Sequence, residues 1–168
     1  MIRPATREDY DNIYHLVRTA FATARVKDGK EQDFVNKLRA SSGYIPQLEL
    51  VMEVEGELIG HIMFTKLIVP VSKGNLPSLL VAPLCVKLAE RNKGYGSQLM
   101  KTGFSIAKDL GYTSAFLVGD PEYYQRFGFR PTGQFGIKNK SDIPDRFVLC
   151  CELLPGALKD INGYVKIE

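Results

Sequence analysis

Leu79-Leu80-Val81-Ala82-Pro83-Leu84-Cys85-Val86, followed by Arg91-Asn92-Lys93-Gly94-Tyr95-Gly96-Ser97, is the stretch that decides the fold. The first part is an apolar run of strand length, and a helical pattern begins near Ser97. A strand, a short glycine-containing loop and a helix N-terminus in that order make an anion site. The first N–H groups of a helix have no intrahelical partner, and the macrodipole puts partial positive charge there. Gly94 and Gly96 allow close approach of the backbone, and Arg91 and Lys93 add two cations. A phosphate or pyrophosphate fits such a loop. The structural alternative is a plain strand-to-helix connection, which is commonly two to six residues long. The loop is not a Rossmann fingerprint, because no third glycine follows Gly96 at the required spacing. It is not a phosphate-binding P-loop, because Gly-Lys-Ser/Thr is absent.

Working outward from this loop, Ile2-Arg3-Pro4 is a short strand candidate. Thr6 and Asp9 have capping-box spacing. Ile13, Leu16, Val17, Ala20 and Phe21 then recur at helical period, and a second helix starts near Glu31 with Phe34, Val35 and Leu38 on one face. Leu48 to Val54 and Leu58 to Val71 read as a hairpin around Glu55-Gly56, and Ser78 to Val86 as the third strand of a meander. Pro83, which lacks an N–H, demands a bulge or a lost ladder bond there. The helix after the loop places Leu99, Gly103, Ile106, Ala107 and Leu110 on one face, with Gly111 as its C-cap. Ser114 to Val118 is a strand, Asp120-Pro121 opens a short helix that Gly128 stops, and Phe147 to Leu153 is a last strand. Thr132 to Arg146 reads as a surface loop. The order predicts an α/β (α+β) fold: a mixed, mostly antiparallel central sheet flanked by helices, in one domain over residues 1–168.

Composition narrows the function classes. Hydrophobic residues make up 45% and charged residues 24%, as in globular proteins, and the net charge is only +3. The basic residues form no run and there is no Trp, so nucleic acid is not an expected partner. No apolar run approaches the roughly 20 residues of a membrane helix. Three cysteines, two of them adjacent (Cys150-Cys151), do not make a disulfide framework. The first residues lack an apolar signal-peptide region, so a reduced, cytoplasmic location is expected. His15 and His61 are the two histidines, which leaves no visible metal cluster. His61, in an alternating strand, reads as a half-buried sheet residue.

Arg91-x-x-Gly94-x-Gly96 after Pro83-Leu84-Cys85-Val86 resembles the acetyl-CoA signature of the GNAT superfamily of N-acetyltransferases. Tyr123-Tyr124-Gln125-Arg126-Phe127-Gly128-Phe129 is similar to that family's second, tyrosine-bearing segment, at the family's spacing. The order of elements agrees from Ile2 to Leu153. The resemblance implies that Arg91, Asn92, Lys93, Gly94, Tyr95, Gly96 and Ser97 bind the pyrophosphate of coenzyme A. It implies that the backbone of Leu84, Cys85 and Val86 pairs with the pantetheine arm, that the Val86 N–H polarises the acetyl carbonyl, and that Ala115 to Val118 splays from its neighbour to open a slot for the cofactor. Acetyl-CoA would be the co-substrate, with no metal, and a small-molecule or peptide amine the acceptor. A homodimer is compatible with the resemblance, though no residue here specifies one.

The implied reaction is direct attack of a neutral primary amine on the thioester, with a tyrosine protonating the departing thiolate. Tyr124 stands at the family's tyrosine position. Packing is the alternative role for Tyr123 and Tyr124, and their adjacency leaves the choice between them open. Many family members carry a glutamate near the central strands. Here Leu79 to Val86 holds no carboxylate, and Glu53 or Asp120 could relay a proton, although Asp120 suits a helix cap equally well. The base is unassigned. Cys85, in an apolar strand, is expected to be inert. The missing carboxylate motivates a second reading, a non-catalytic acyl-CoA-binding module on the same fold. A nucleotide-binding module using the same anion site is a third.

Overall fold

The computed structural model describes residues 1–24 and 28–167. They group into two compact units, residues 1–65 with 81–107, and residues 66–80 with 108–168. The strands β3 (Glu57–Val71) and β4 (Gly74–Val86) each contribute to both.

The first unit also contains β1 (Ile2–Pro4), α1 (Tyr10–Phe21), α2 (Glu31–Arg39), β2 (Tyr44–Val54) and α3 (Tyr95–Asp109). The Thr6–Asp9 capping box forms: Asp9 Oδ2 accepts from the Thr6 N–H at 2.7 Å and from its hydroxyl at 3.1 Å. Arg3 clamps Asp9 at 2.7 Å and Glu53 at 2.7 Å, so Glu53 is held in an ion pair with Arg3. The helical spacing read from the sequence is realised. Ile13, Leu16, Val17 and Ala20 of α1 and Val35 of α2 pack with Val51 of β2, Met63 of β3 and Cys85 of β4. The β2–β3 hairpin turns at Glu55 and Gly56, whose φ values of 51° and 78° are the left-handed pair that matches strand twist. β2 starts at Tyr44, four residues before the apolar run that marked it, because its first residues are ordered by pairing (Tyr44↔Thr65) rather than by hydrophobicity.

Side chains alternate across β3, so Gly60 and Phe64 face away from α1 and α2. That face carries α3. Leu99 of α3 sits over Gly60, where an added Cβ would lie 2.8 Å from its Cδ1. Phe64 reaches into the place where a Cβ on Gly103 would stand. The helix is thus seated on the strand by two reciprocal knob-and-glycine contacts. It begins at Tyr95, two residues earlier than the apolar pattern suggests. Leu110, expected on the buried face, is 44% exposed because the helix has ended before it.

The second unit holds β5 (Ser114–Val118), α4 (Pro121–Tyr124), β6 (Arg130–Pro131), β7 (Ile137–Asn139), β8 (Val148–Glu152) and β9 (Gly163–Val165). β5 runs parallel to β4 at Leu80↔Phe116 and antiparallel to β8 from Ser114↔Glu152 to Val118↔Val148. The residues read as one surface loop, 132–146, instead contain β7, paired in parallel with β9, and bury Ile137 and Thr132. The segment is too short and too polar for periodicity to reveal a strand. The strand order is β1-β2-β3-β4-β5-β8-β6, mixed and mostly antiparallel, as the sequence predicts. Among the described residues no helix is long and apolar enough to cross a membrane.

Candidate active site

One side chain of the loop ties the end of β4 to the C-terminal end of α1. Arg91 donates from Nε to the Val86 carbonyl at 3.2 Å, from Nη2 to the Ala20 carbonyl at 2.6 Å and from Nη1 to the Thr23 hydroxyl at 3.2 Å. A cation at the C-terminal end of α1 also suits the dipole of that helix. Lys93, on the surface, pairs with Glu90 at 2.9 Å. Both cations of the loop therefore have protein partners. Asn92 (φ 66°) and Gly94 (φ 83°) are left-handed, which turns the chain sharply before the first turn of α3 at Tyr95, Gly96 and Ser97. Asn92 accepts a conformation that most side chains avoid, whereas Gly94 does so freely. Leu84 and Val86 are half-buried, and Cys85 between them is buried, with its thiol pushed up to about 12 by desolvation. The Ala82–Pro83 peptide is cis.

Tyr124 belongs to the second unit. Asp120 caps α4, accepting from the Glu122 N–H at 3.0 Å. The Tyr124 ring lies over Gly119, where a Cβ would come within 2.5 Å of it, and packs edge-on to Phe129 at 6.1 Å. Tyr123 is engaged differently: the Arg126 guanidinium stacks on its ring at 4.1 Å while Arg126 Nε donates to its carbonyl at 2.8 Å. Arg126 is thus a helix-end residue here. Gly128 (φ 88°) turns the chain out of this segment.

A polar cluster that sequence reasoning missed lies on the α1–α2 face of the first unit. Glu49 of β2 is fully buried, and both of its oxygens are saturated. Oε1 accepts from Arg39 Nε at 2.9 Å and from the Tyr44 hydroxyl at 2.8 Å; Oε2 takes Arg39 Nη2 at 2.5 Å and His61 Nε2 at 2.9 Å. His61 is completely buried rather than half-buried, since α1 and α2 cover that face. Burial works against the Glu49 charge, but the hydrogen bonds from His61, Arg39 and Tyr44 hold its carboxyl at about 2. Burial pulls His61 below its usual value, with Arg39 pushing the same way and Glu49 partly opposing. An ionised Glu49 can only accept, so neutral His61 must carry its proton on Nε2. Nδ1 is then a bare lone pair, and it is buried without a hydrogen-bond partner. Only the isolated glutamate in β2 and histidine in β3 hinted at this pair, and nothing in their spacing linked them.

A glycine-opened helix start beside the last residues of a central strand, on this strand order, defines the acyl-CoA N-acyltransferase fold. Residues 1–132 match the family model described as an acetyltransferase (GNAT) domain. The chain belongs to the GNAT family of acetyltransferases. It is 34% identical over 143 residues to a protein of Escherichia coli K12 named an uncharacterized N-acetyltransferase, YjhQ, covering 82% of this chain and 77% of that one. The crystal structure of the Escherichia coli GNAT family N-acetyltransferase YhbS in complex with CoA superposes with a TM-score of 0.85 at 27% identity, covering 100% of this chain and 89% of that one. A GNAT family acetyltransferase from Brucella melitensis in complex with acetyl-CoA gives 0.77 at 26% identity, covering 100% and 95%.

Proposed function

We propose that this enzyme transfers the acetyl group of acetyl-CoA to a primary amine by direct attack. Family membership supports acetyl transfer, and one local observation supports the donor's place. The left-handed Asn92 and Gly94 turn the chain just before α3, and Arg91, in the same loop, binds the Val86 carbonyl at the end of β4. In this reading the N–H groups of the loop and of Tyr95, Gly96 and Ser97 bind the pyrophosphate. Leu84, Cys85 and Val86 pair with the pantetheine arm, and the Val86 N–H stabilises the developing oxyanion. Arg91 acts by holding the loop, and Lys93 adds charge at its rim. The neutral amine nitrogen bonds to the carbonyl carbon, the C–S bond breaks, Tyr124 gives a proton to the thiolate, and the N–H proton released on amide formation restores Tyr124. Tyr124 is favoured over Tyr123 because it stands at the tyrosine position of the family segment. The acceptor is a small-molecule or peptide amine.

Two measurements test this. Acetyl-CoA at millimolar concentration should raise the melting temperature, by an amount set by concentration over Kd. Purified protein with acetyl-CoA should release free thiol with at least one member of a broad amine panel. No thermal shift would remove the donor assignment. A shift without thiol release from any amine would favour a cofactor-binding module.

A further inference from the structure

The acetyl-transfer reaction lacks a proton acceptor in the account above: β4 offers no carboxylate, Glu53 is tied to Arg3, and Asp120 caps α4. The buried Glu49–His61 pair lies next to the segment assigned to the thioester. Lys87 N–H donates to the Ile59 carbonyl at 2.7 Å, which sets Ile59 opposite Lys87. The Cys85 thiol, one residue before Val86, contacts the His61 backbone, so the two residues are neighbours across β3 and β4. An imidazole whose Nε2–H is committed to a saturated carboxylate, and whose Nδ1 is bare, has the arrangement of a histidine base oriented by an acid. Such a lone pair, buried in a packed face, costs stability that an apolar residue would not. We infer that His61, oriented by Glu49, accepts the proton that the amine must lose before it attacks.

The substrate ammonium gives one proton to His61 Nδ1, through a water where the acceptor does not reach it. The neutral amine attacks, the C–N bond forms, the C–S bond breaks, and the second N–H proton ends on the thiolate sulfur. His61 then returns its proton to solvent. The groups facing His61 are Glu49 from β2, Arg39 from α2 with its guanidinium 3.7 Å over the Tyr10 ring of α1, Tyr44 at the start of β2, and the Cys85 thiol from β4. Glu49 is ionised and Cys85 protonated across the working range, so an acid limb belongs to the histidine. Neutral His61 is the active form, so that limb should fall below pH 6.5, the ordinary histidine value.

The inference rests on the acetyl-transfer reading, and the tests separate the two. With an amine that turns over, His61→Gln should keep the acetyl-CoA thermal shift, lower kcat by roughly 100-fold, and abolish the acid limb of kcat/KM. A purely structural role would move the melting temperature and leave the limb in place. Turnover within about threefold of the parent, or a surviving acid limb, overturns the inference while acetyl transfer stands. Loss of the thermal shift in the parent, or no turnover with any amine, removes both. Should His61→Gln not fold, nitrogen-15 NMR of the parent decides, with His15→Gln identifying the His61 signals. The Nε2–H tautomer titrating together with the acid limb supports the assignment; the other tautomer, or a titration apart from the limb, refutes it.

Discussion

Gly103→Ala sets two effects of known sign against each other. Gly103 lies inside α3, where alanine is better than glycine by about 1 kcal/mol in helix propensity. Its new Cβ would stand 2.2 Å from Phe64 Cε1 and 2.6 Å from Cζ. Carbon atoms in contact sit about 3.5–4.0 Å apart, so the ring or the helix must shift by more than 1 Å. Phe64 is fully buried and held edge-on to Phe104 at 6.2 Å, which leaves it little room to yield. Overpacking of this kind costs about 1–3 kcal/mol, at times more, so the clash wins. A net loss of about 1–2 kcal/mol corresponds to a melting temperature lower by about 2–8 °C for a chain of this length. The acetyl-CoA thermal shift should shrink too, because α3 carries the proposed pyrophosphate site at its start. Adding Phe64→Leu should recover part of the loss, giving a coupling of about 1 kcal/mol or more in the double-mutant cycle. A Gly103→Ala variant as stable as the parent, or additive with Phe64→Leu, would refute the packing argument.

Three further outcomes are expected. Tyr124→Phe should lower turnover in the thiol-release assay by roughly 100-fold while leaving the acetyl-CoA thermal shift intact; unchanged turnover removes the proton-donor assignment. Asp9, held at about 2 by Arg3 and the Thr6 cap against an ordinary 3.8, stabilises the fold fully above pH 3.8 and loses that contribution as pH falls toward 2. Asp9→Asn should therefore lower the melting temperature at pH 7 and much less near pH 2, and an equal loss at both values would contradict the ion-pair account. Cys85, Cys150 and Cys151 are buried with their thiols pushed up. A thiol reagent at pH 8 should find almost none of them in native protein and three in denaturant, which also keeps the background of the turnover assay low; rapid native labelling would show that the sheet opens.

The elements the sequence revealed are those whose residues report backbone geometry or a repeated face. Glu55-Gly56 signals the hairpin because two adjacent left-handed residues are needed there. Asp120-Pro121 marks the start of α4 because one caps and the other suits the first turn. Ile13, Leu16, Val17 and Ala20 recur at the helical period because they meet a single core. The start of β2, the strand β7 and the end of α3 were less legible, since pairing with Thr65, pairing with β9 and termination before Leu110 depend on partners remote in sequence. Gly103 could be seen as lying on the buried face of a helix. That it receives Phe64 could not, because Phe64 lies on β3, far from Gly103 in sequence.

The same distinction governs the active-site reading. The anion loop is a local object: its glycines, its left-handed Asn92 and the helix behind it are contiguous, so its chemistry can be read in order. Arg91 resembles a phosphate ligand in the sequence, and folding adds what the sequence could not show, its bonds to Ala20, Thr23 and Val86. The Glu49 cluster is the opposite case. Arg39, Tyr44, Glu49 and His61 come from one helix and two strands, and none is unusual until folding saturates the carboxylate. Saturation fixes the protonated nitrogen of His61 and bares the other. A fully satisfied carboxylate beside an unsatisfied imidazole nitrogen is an asymmetry that a purely structural core would have little reason to keep. An apolar side chain at residue 61 would fill the same face without the orphaned lone pair, so its presence beside the strand proposed to hold the thioester argues for use.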